Sequence, residues 1–451
     1  MTLTTRAMSM WTVRATLLVL SLVMLGACDS GIFSSDDDSE KLPGTRISVL
    51  ALERELRPDL EAIDTQIRLP KPEDNDSWAQ TGGLSHHAMH HLLLGAVPKL
   101  AWSQSIGEGT GKRNRVLAEP IVAEDNVFTM DAEAVVTAFN AKTGKERWSR
   151  DVAPSNEDDG SFLGGGLGYE SGRVFATGGF AQVVALDAKS GRQIWRTPVE
   201  APIRGAPALN GGRVFVTTVE NQVIALAADD GRQLWTYSGA STATILMGAA
   251  TPAVDGGVVI APFTNGEVVA LRVDNGALLW TETVVAVRRT EAAASLPAIT
   301  ARPIIDRGRV FIVGHSGLLV AIDLRTGQRV WEAPVSGVYG PWIAGDFLYT
   351  VTIDGEAVCL DARSGRIIWV TQLPRFDDEE DKEGRIVWAG PIVASDRVIV
   401  VGSNEQALSL SPYTGAVLGR LDLDSAATLP PVVAQSTLYL LNDDGDLVAY
   451  R

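Results

Sequence analysis

Cysteine is almost missing from this 451-residue chain, which holds only Cys28 and Cys359. One of them falls in a targeting segment, so there is no disulfide framework. Basic residues are also short, with 39 Lys and Arg against 55 Asp and Glu and a formal net charge of −16. Nucleic-acid binding needs cationic patches to neutralise phosphates, so this balance argues against such a partner. No apolar run reaches the roughly 20 residues that a membrane-spanning helix requires. Aromatics are sparse, yet their split is unusual: 11 Trp match 11 Phe, beside 44 Gly. A Trp share that high asks for a structural cause.

The start of the chain carries an address. Arg6 and Arg14 precede a 13-residue apolar run, Ala15 to Ala27, which ends Leu25-Gly26-Ala27-Cys28. This reads as a secretion signal rather than a span. The ending resembles the bacterial lipobox, with cleavage between Ala27 and Cys28 and lipid on the Cys28 thiol. Each acyl CH₂ buried in a membrane contributes about 0.8 kcal/mol, so two or more chains, palmitate among them, anchor stably. The expected divisions are a lipoprotein signal peptide at 1–27, a lipidated tether and pre-repeat segment at 28–98, and a repeat domain at 99–451. Residues 29–40 (DSGIFSSDDDSE) read as a polar stalk. Arg46 to Leu52 suggests a short strand or a partner-binding segment, and Glu53 to Ile67 has weak helical spacing. His86, His87, His90 and His91 are four of the five histidines. On a helix they would form two i,i+4 pairs suited to metal. Nothing nearby completes a metal motif, so a lead-in loop packed on the repeats is the expectation.

From Ala101 onward one pattern recurs every 38–51 residues or so. Examples are AVVTAFNAKTGKERW (134–148), QVVALDAKSGRQIW (182–195) and EAVCLDARSGRIIW (356–369). Each unit ends on a turn glycine followed four residues later by Trp. The seventh unit, QALSLSPYTGAVLGR (406–420), is read with Leu418 in place of the Trp. Upstream lie β-branched runs such as RVFIVG (309–314), and before them dipeptides such as Glu119-Pro120 and Arg302-Pro303. Four short strands per unit predict an all-β chain of radially arranged, four-stranded antiparallel blades. A blade cannot bury both faces alone. Trp102, Trp148, Trp195, Trp235, Trp280, Trp331 and Trp369 are therefore expected to dock each blade onto the next, at about 2–3 kcal/mol each. The chain ends after three strands of a unit (429–451), and Lys99 to Ser103 supplies the fourth. The last blade is then closed by both termini, which gives an eight-bladed β-propeller.

The repeat resembles the PQQ-type, Trp-docked propeller superfamily over about residues 99–451. With the lipobox, a single propeller and the ending DGDLVAYR, the chain resembles the BamB family of outer-membrane β-barrel assembly lipoproteins. That resemblance implies a non-enzymatic scaffold on the periplasmic face of the outer membrane. It implies the BamA periplasmic domain as partner, with other assembly components and unfolded β-barrel precursors. Ile203, Arg204 and Gly205 match the family's partner-binding loop, and Arg suits interface hot spots. The family's second contact loop is acidic, whereas Ile245 to Ala250 carries no acid. Asp29 resembles an inner-membrane retention signal, which leaves the choice of membrane open.

The competing readings are a PQQ-dependent dehydrogenase and a membrane-tethered ligand-binding propeller. The dehydrogenases resemble one another in an adjacent Cys-Cys pair and a Glu/Asn/Asp calcium set, and the chain has no Cys-Cys and no CxxCH. No catalytic residue, metal or cofactor is expected. Asn442 to Asp446 reads as a hairpin turn and Gly164 to Gly168 as the start of a tightly packed inner strand. Asp377 to Glu383 reads as a solvated acidic insertion, and Cys359 as buried and inert.

Overall fold

The computed structural model describes residues 56–112, 114–154, 164–203, 205–240, 250–285 and 298–451. Those residues form strands and turns and no helix. Eight four-stranded antiparallel sheets account for the repeats. Blade 1 runs from β2 (Ile121–Ala123) through β3 (Asn126–Met130) and β4 (Val135–Asn140) to β5 (Glu146–Asp151). Blades 2 to 6 repeat this plan up to β25 (Ile367–Gln372), and blade 7 spans β28 (Trp388–Ala394) to β31 (Val417–Asp422). Blade 8 takes β32 (Val432–Ala434), β33 (Thr437–Leu441) and β34 (Asp446–Tyr450), and its fourth strand is β1 (Leu100–Ser105). Lys99 and Arg451 exchange backbone hydrogen bonds of 2.6 and 2.9 Å, so the two termini close the circle.

The middle strands of each blade are buried throughout, which explains their unbroken Val, Ile and Ala runs. The outer strands alternate differently. In β5, only Trp148 is buried. Its indole lies on Gly191 of the next blade, and its Nε1 donates to Ala188 O at 3.0 Å. Trp102, Trp195, Trp235, Trp280, Trp331 and Trp369 make the same donation to Ala141, Ala228, Val273, Leu324, Ala362 and Pro412, at 2.8–3.2 Å. Glycine is required under the ring on two counts. Its φ lies between +67° and +75° at all seven joints, and a Cβ on Gly365 would sit 2.4 Å from the Trp331 ring.

The eighth joint differs, and it corrects the sequence reading. Ser409 pairs with Gly419 as Cys359 pairs with Trp369, and the bulge falls at the equivalent place in both blades, so the fourth residue after Gly415 takes the Trp position just as it does after Gly365. The Trp position in blade 7 is thus Gly419, and Leu418 is exposed beside it. A Cβ on Gly419 would meet nothing within 4 Å.

One further expectation changes. Glu53 to Ile67 forms no helix in its described part, where Asp59 to Thr65 makes only hydrogen-bonded turns. Leu56–Arg451 is one compact unit, so residues 56–98 pack with the ring. The acidic insertion is a short exposed hairpin, β26 (Phe376–Asp378) with β27 (Glu383–Arg385). Gly166 and Gly168 do lie in a tightly packed inner strand, since a Cβ on Gly166 would meet Ala206 at 2.4 Å. Cys359 is buried opposite Trp369, in the place where the other docked blades have Ala.

Removing one dock tests the packing argument. Trp235→Ala is expected to cost about 3–5 kcal/mol in chemical denaturation. A loss below about 1 kcal/mol would mean that the indole does not hold joint 3/4.

Candidate functional site

The inner strand of every blade turns one backbone edge toward the ring axis. Buried N–H and C=O groups there need partners. Residues 73–95 supply them as a strap that visits the blades in spatial order. Asn75 O accepts from Gln435 N, and Asn75 Nδ2 donates to Val433 O, on blade 8. Trp78 and Val122 exchange both backbone bonds, at 2.7 and 2.9 Å, on blade 1. Ala79 O takes Tyr169 N on blade 2, and the Gln80 amide pairs with both backbone groups of Leu209 on blade 3. Ser85 O takes Val254 N on blade 4, and His86 O takes Ile305 N on blade 5. His90 O takes Trp342 Nε1 on blade 6, and Leu92 pairs with Val393 and Ser395 on blade 7.

This strap answers the histidine question. His87 and His90 have φ of 62° and 51°, so the segment is not a helix and no i,i+4 pairs form. His87 is buried, with Nδ1 on Pro303 O at 2.7 Å. His91 is buried too, with Nδ1 on Pro70 O and Nε2 accepting from Asp396 N. His90 Nε2 lies 3.4 Å from Asp306 Oδ1, and His86 Nδ1 accepts from Ala88 N. Among the described residues no three His, Cys, Asp or Glu side chains converge as a metal site.

Alongside the strap, Arg302 Nη1 donates to Glu119 Oε1 at 2.6 Å, both side chains being about nine-tenths buried. Glu119 leads into blade 1 and Arg302 into blade 5, four joints away either way round, so the pair bridges opposite sides of the ring. The sequence reading names both only as members of the repeated dipeptide before proline, not as a charge pair. A signal existed: both stand before proline where equivalent repeats have Ala206, Thr251 and Gly340, and their charges are opposite. The Arg302 stem also packs where a Cβ on Gly82 would fall, 3.1 Å away.

Burial, then Arg302 nearby, pushes the His87 imidazole down to about 3 from its usual 6.5. Burial lowers His86 and His315 as well. A depressed pKa contributes stability that is complete above the unfolded value and fades as pH falls. His87→Asn keeps a donor for Pro303 O but removes the titration. Melting temperature measured from pH 7 down to 4 should therefore fall less steeply in His87→Asn than in the parent. Equal slopes would refute the assignment.

The residues expected to bind a partner are placed unevenly. Ile203 is fully buried among Phe175, Leu209 and Val216, so its side chain offers no surface and anchors the loop instead. Its N–H donates to Gly178 O at 3.3 Å, and Gly205 O accepts from Thr177 Oγ1 at 2.8 Å. Arg204 lies outside the described residues, as do Ala27, Cys28, residues 46–52 and Ile245 to Gly248. Close to this loop, Pro198, Glu200, Gln222, Ile224 and Thr236 line a cavity of about 280 Å³.

Ring, docks and strap together define a tryptophan-docked, eight-bladed β-propeller whose axis is packed with its own chain. Residues 97–156 and 132–371 match the family model described as "Outer membrane protein assembly factor BamB". The chain belongs to the BamB family. It is similar to the protein so named in Salmonella typhimurium, 29% identical over 361 residues, 78% of this chain and 88% of that one. The Escherichia coli protein of that name is also 29% identical, over 356 residues, 77% and 88% of the two chains. Among solved structures, BamB from Moraxella catarrhalis superposes with a TM-score of 0.67 at 18% identity, covering 79% of this chain and all of that one. A quinohemoprotein alcohol dehydrogenase from Comamonas testosteroni gives 0.64 at 12% identity, covering 83% and 80%, a likeness of fold alone. An anionic quinone held with Ca²⁺ needs convergent charged oxygens in the channel. Here Arg302 already neutralises Glu119 and the strap packs the axis, so the site as built does not fit that group.

Proposed function

We propose that this chain is a non-enzymatic scaffold of the machinery that assembles outer-membrane β-barrel proteins. It is held by lipid on Cys28 at the periplasmic face of the outer membrane. The observation that carries the reading is the packed axis, which leaves the outward loops as the means of action. Family membership and the proteins named above point to the same machinery. Cys28→Ser should abolish labelling by radioactive palmitate and release the protein from the membrane fraction. Retained label would exclude this anchor.

The contact proposed for the BamA periplasmic domain is the blade 2 to blade 3 crossover at Arg204. Its support is twofold. The flanking Ile203 and Gly205 are pinned to blade 2, which fixes where the backbone enters and leaves this position. The neighbouring cavity offers concavity for a partner side chain. Arg204→Glu is expected to weaken capture of that domain at least about tenfold, the size of a hot-spot loss, at unchanged melting temperature. Undiminished capture would move the contact elsewhere.

A further inference from the structure

Seven joints of the ring carry an indole dock, and the joint between blades 7 and 8 does not. Both halves of the dock are missing there. Gly419 takes the Trp position with open space above it, and every residue of β31 is exposed. On the blade 8 side, the turn that elsewhere presents the glycine is replaced by the two chain ends, with Pro98 four residues before Trp102. The strap begins and ends at this same joint. Asp74 and Asn75 bind blade 8, through Ser436, Val433 and Gln435. Leu92 and Leu94 bind blade 7, through Val393 and Ser395. The strap's ends then bind each other, Glu73 N to His91 O and Leu93 N to Glu73 O, both at 2.8 Å. Arg397 of blade 7 adds bonds to Gly95 O and Ala96 O, just before the chain enters β1 of blade 8.

We propose that the joint between blades 7 and 8 is the ring's built-in opening point, and that the overlapped strap ends are the clasp that holds it shut. Elsewhere an indole joins two blades from the outer rim. Here blades 7 and 8 share an apolar core as the other joints do, but in place of the rim indole the added link is made at the inner edge, by a peptide segment that detaches without disturbing any blade's own sheet. Local opening follows the least-protected contacts, so this joint separates first.

The test is hydrogen exchange by mass spectrometry on the full-length protein, in water and in urea below the unfolding transition. Segments 73–96, 388–395 and 432–435 should exchange before the inner strands β14 (Ala253–Asp255) and β18 (Ile304–Asp306). Removing the side-chain bonds of the clasp with the double variant Ser395→Ala, Arg397→Ala should speed exchange in those three segments at least tenfold. Blades 3 and 4 should keep the parent's rates. Trp235→Ala serves as the opposite control, loosening joint 3/4 and leaving the clasp segments unchanged. Parent protein that opens first at any other joint overturns the proposal, whether or not the double variant folds. Exchange that rises equally around the ring in the double variant overturns it as well.

Discussion

A flat aromatic ring resting on a residue without a side chain sets the spacing of the whole molecule. A four-stranded blade has two apolar faces and cannot bury either one by itself. The indole reaches across only because the turn below it holds glycine at positive φ, and the Nε1–H finds the one carbonyl that the turn exposes. Other features serve the same contact. The outer strand bulges just before the Trp, as between Ala225 and Leu226 of the facing strand. The residue opposite is Ala or Cys359, small enough to let the ring lie flat. A Phe or Tyr on the second strand packs behind it, with ring centroids 5.8–6.0 Å apart for Phe128, Phe175, Phe215, Phe311, Tyr349 and Tyr439.

Docks settle the rim of the ring and leave the axis unsettled. Inner-strand edges converge there with unpaired backbone groups, which are costly to bury. The strap resolves this with one contact per blade and the Arg302–Glu119 pair spans the space beside it. Trp78 stacks on Trp342 at 6.1 Å, so the plug also joins blades 1 and 6. The strap lies upstream of residue 97, where the match to the family begins. Membership of the family and the strap are thus carried by different parts of the chain.

The repeat was legible because its parts are local. Glycine to Trp is four residues, and a strand with its turn is about a dozen, so the pattern survives in a single sequence. Blade closure by Trp102 was legible for the same reason, as a unit divided between the two ends. Leu418 stands one residue short of the dock position, and the four-residue spacing counted from Gly415 already points to Gly419. The histidines are a packed lead-in segment, as expected from the lack of a completing metal motif, although their spacing alone also allowed metal pairs on a helix because it does not report backbone φ. Ile203 entered as a contact residue through its match to the family's loop, and such a match does not report whether the side chain faces water or the core.

The amino-acid sequence by itself determined the all-β class, the number of blades and the residues that join seven of the eight. These follow from short-range periodicity, in which each repeat restates the same packing problem. Only the tertiary structure decided what lies on the axis and where the ring is weakest. Glu119 and Arg302 are 183 residues apart, and the strap meets most blades through backbone atoms that every residue type shares, with the Gln80 amide and the Trp342 indole as exceptions. Interactions of that kind have no period and no composition, so they exist only once the circle has closed.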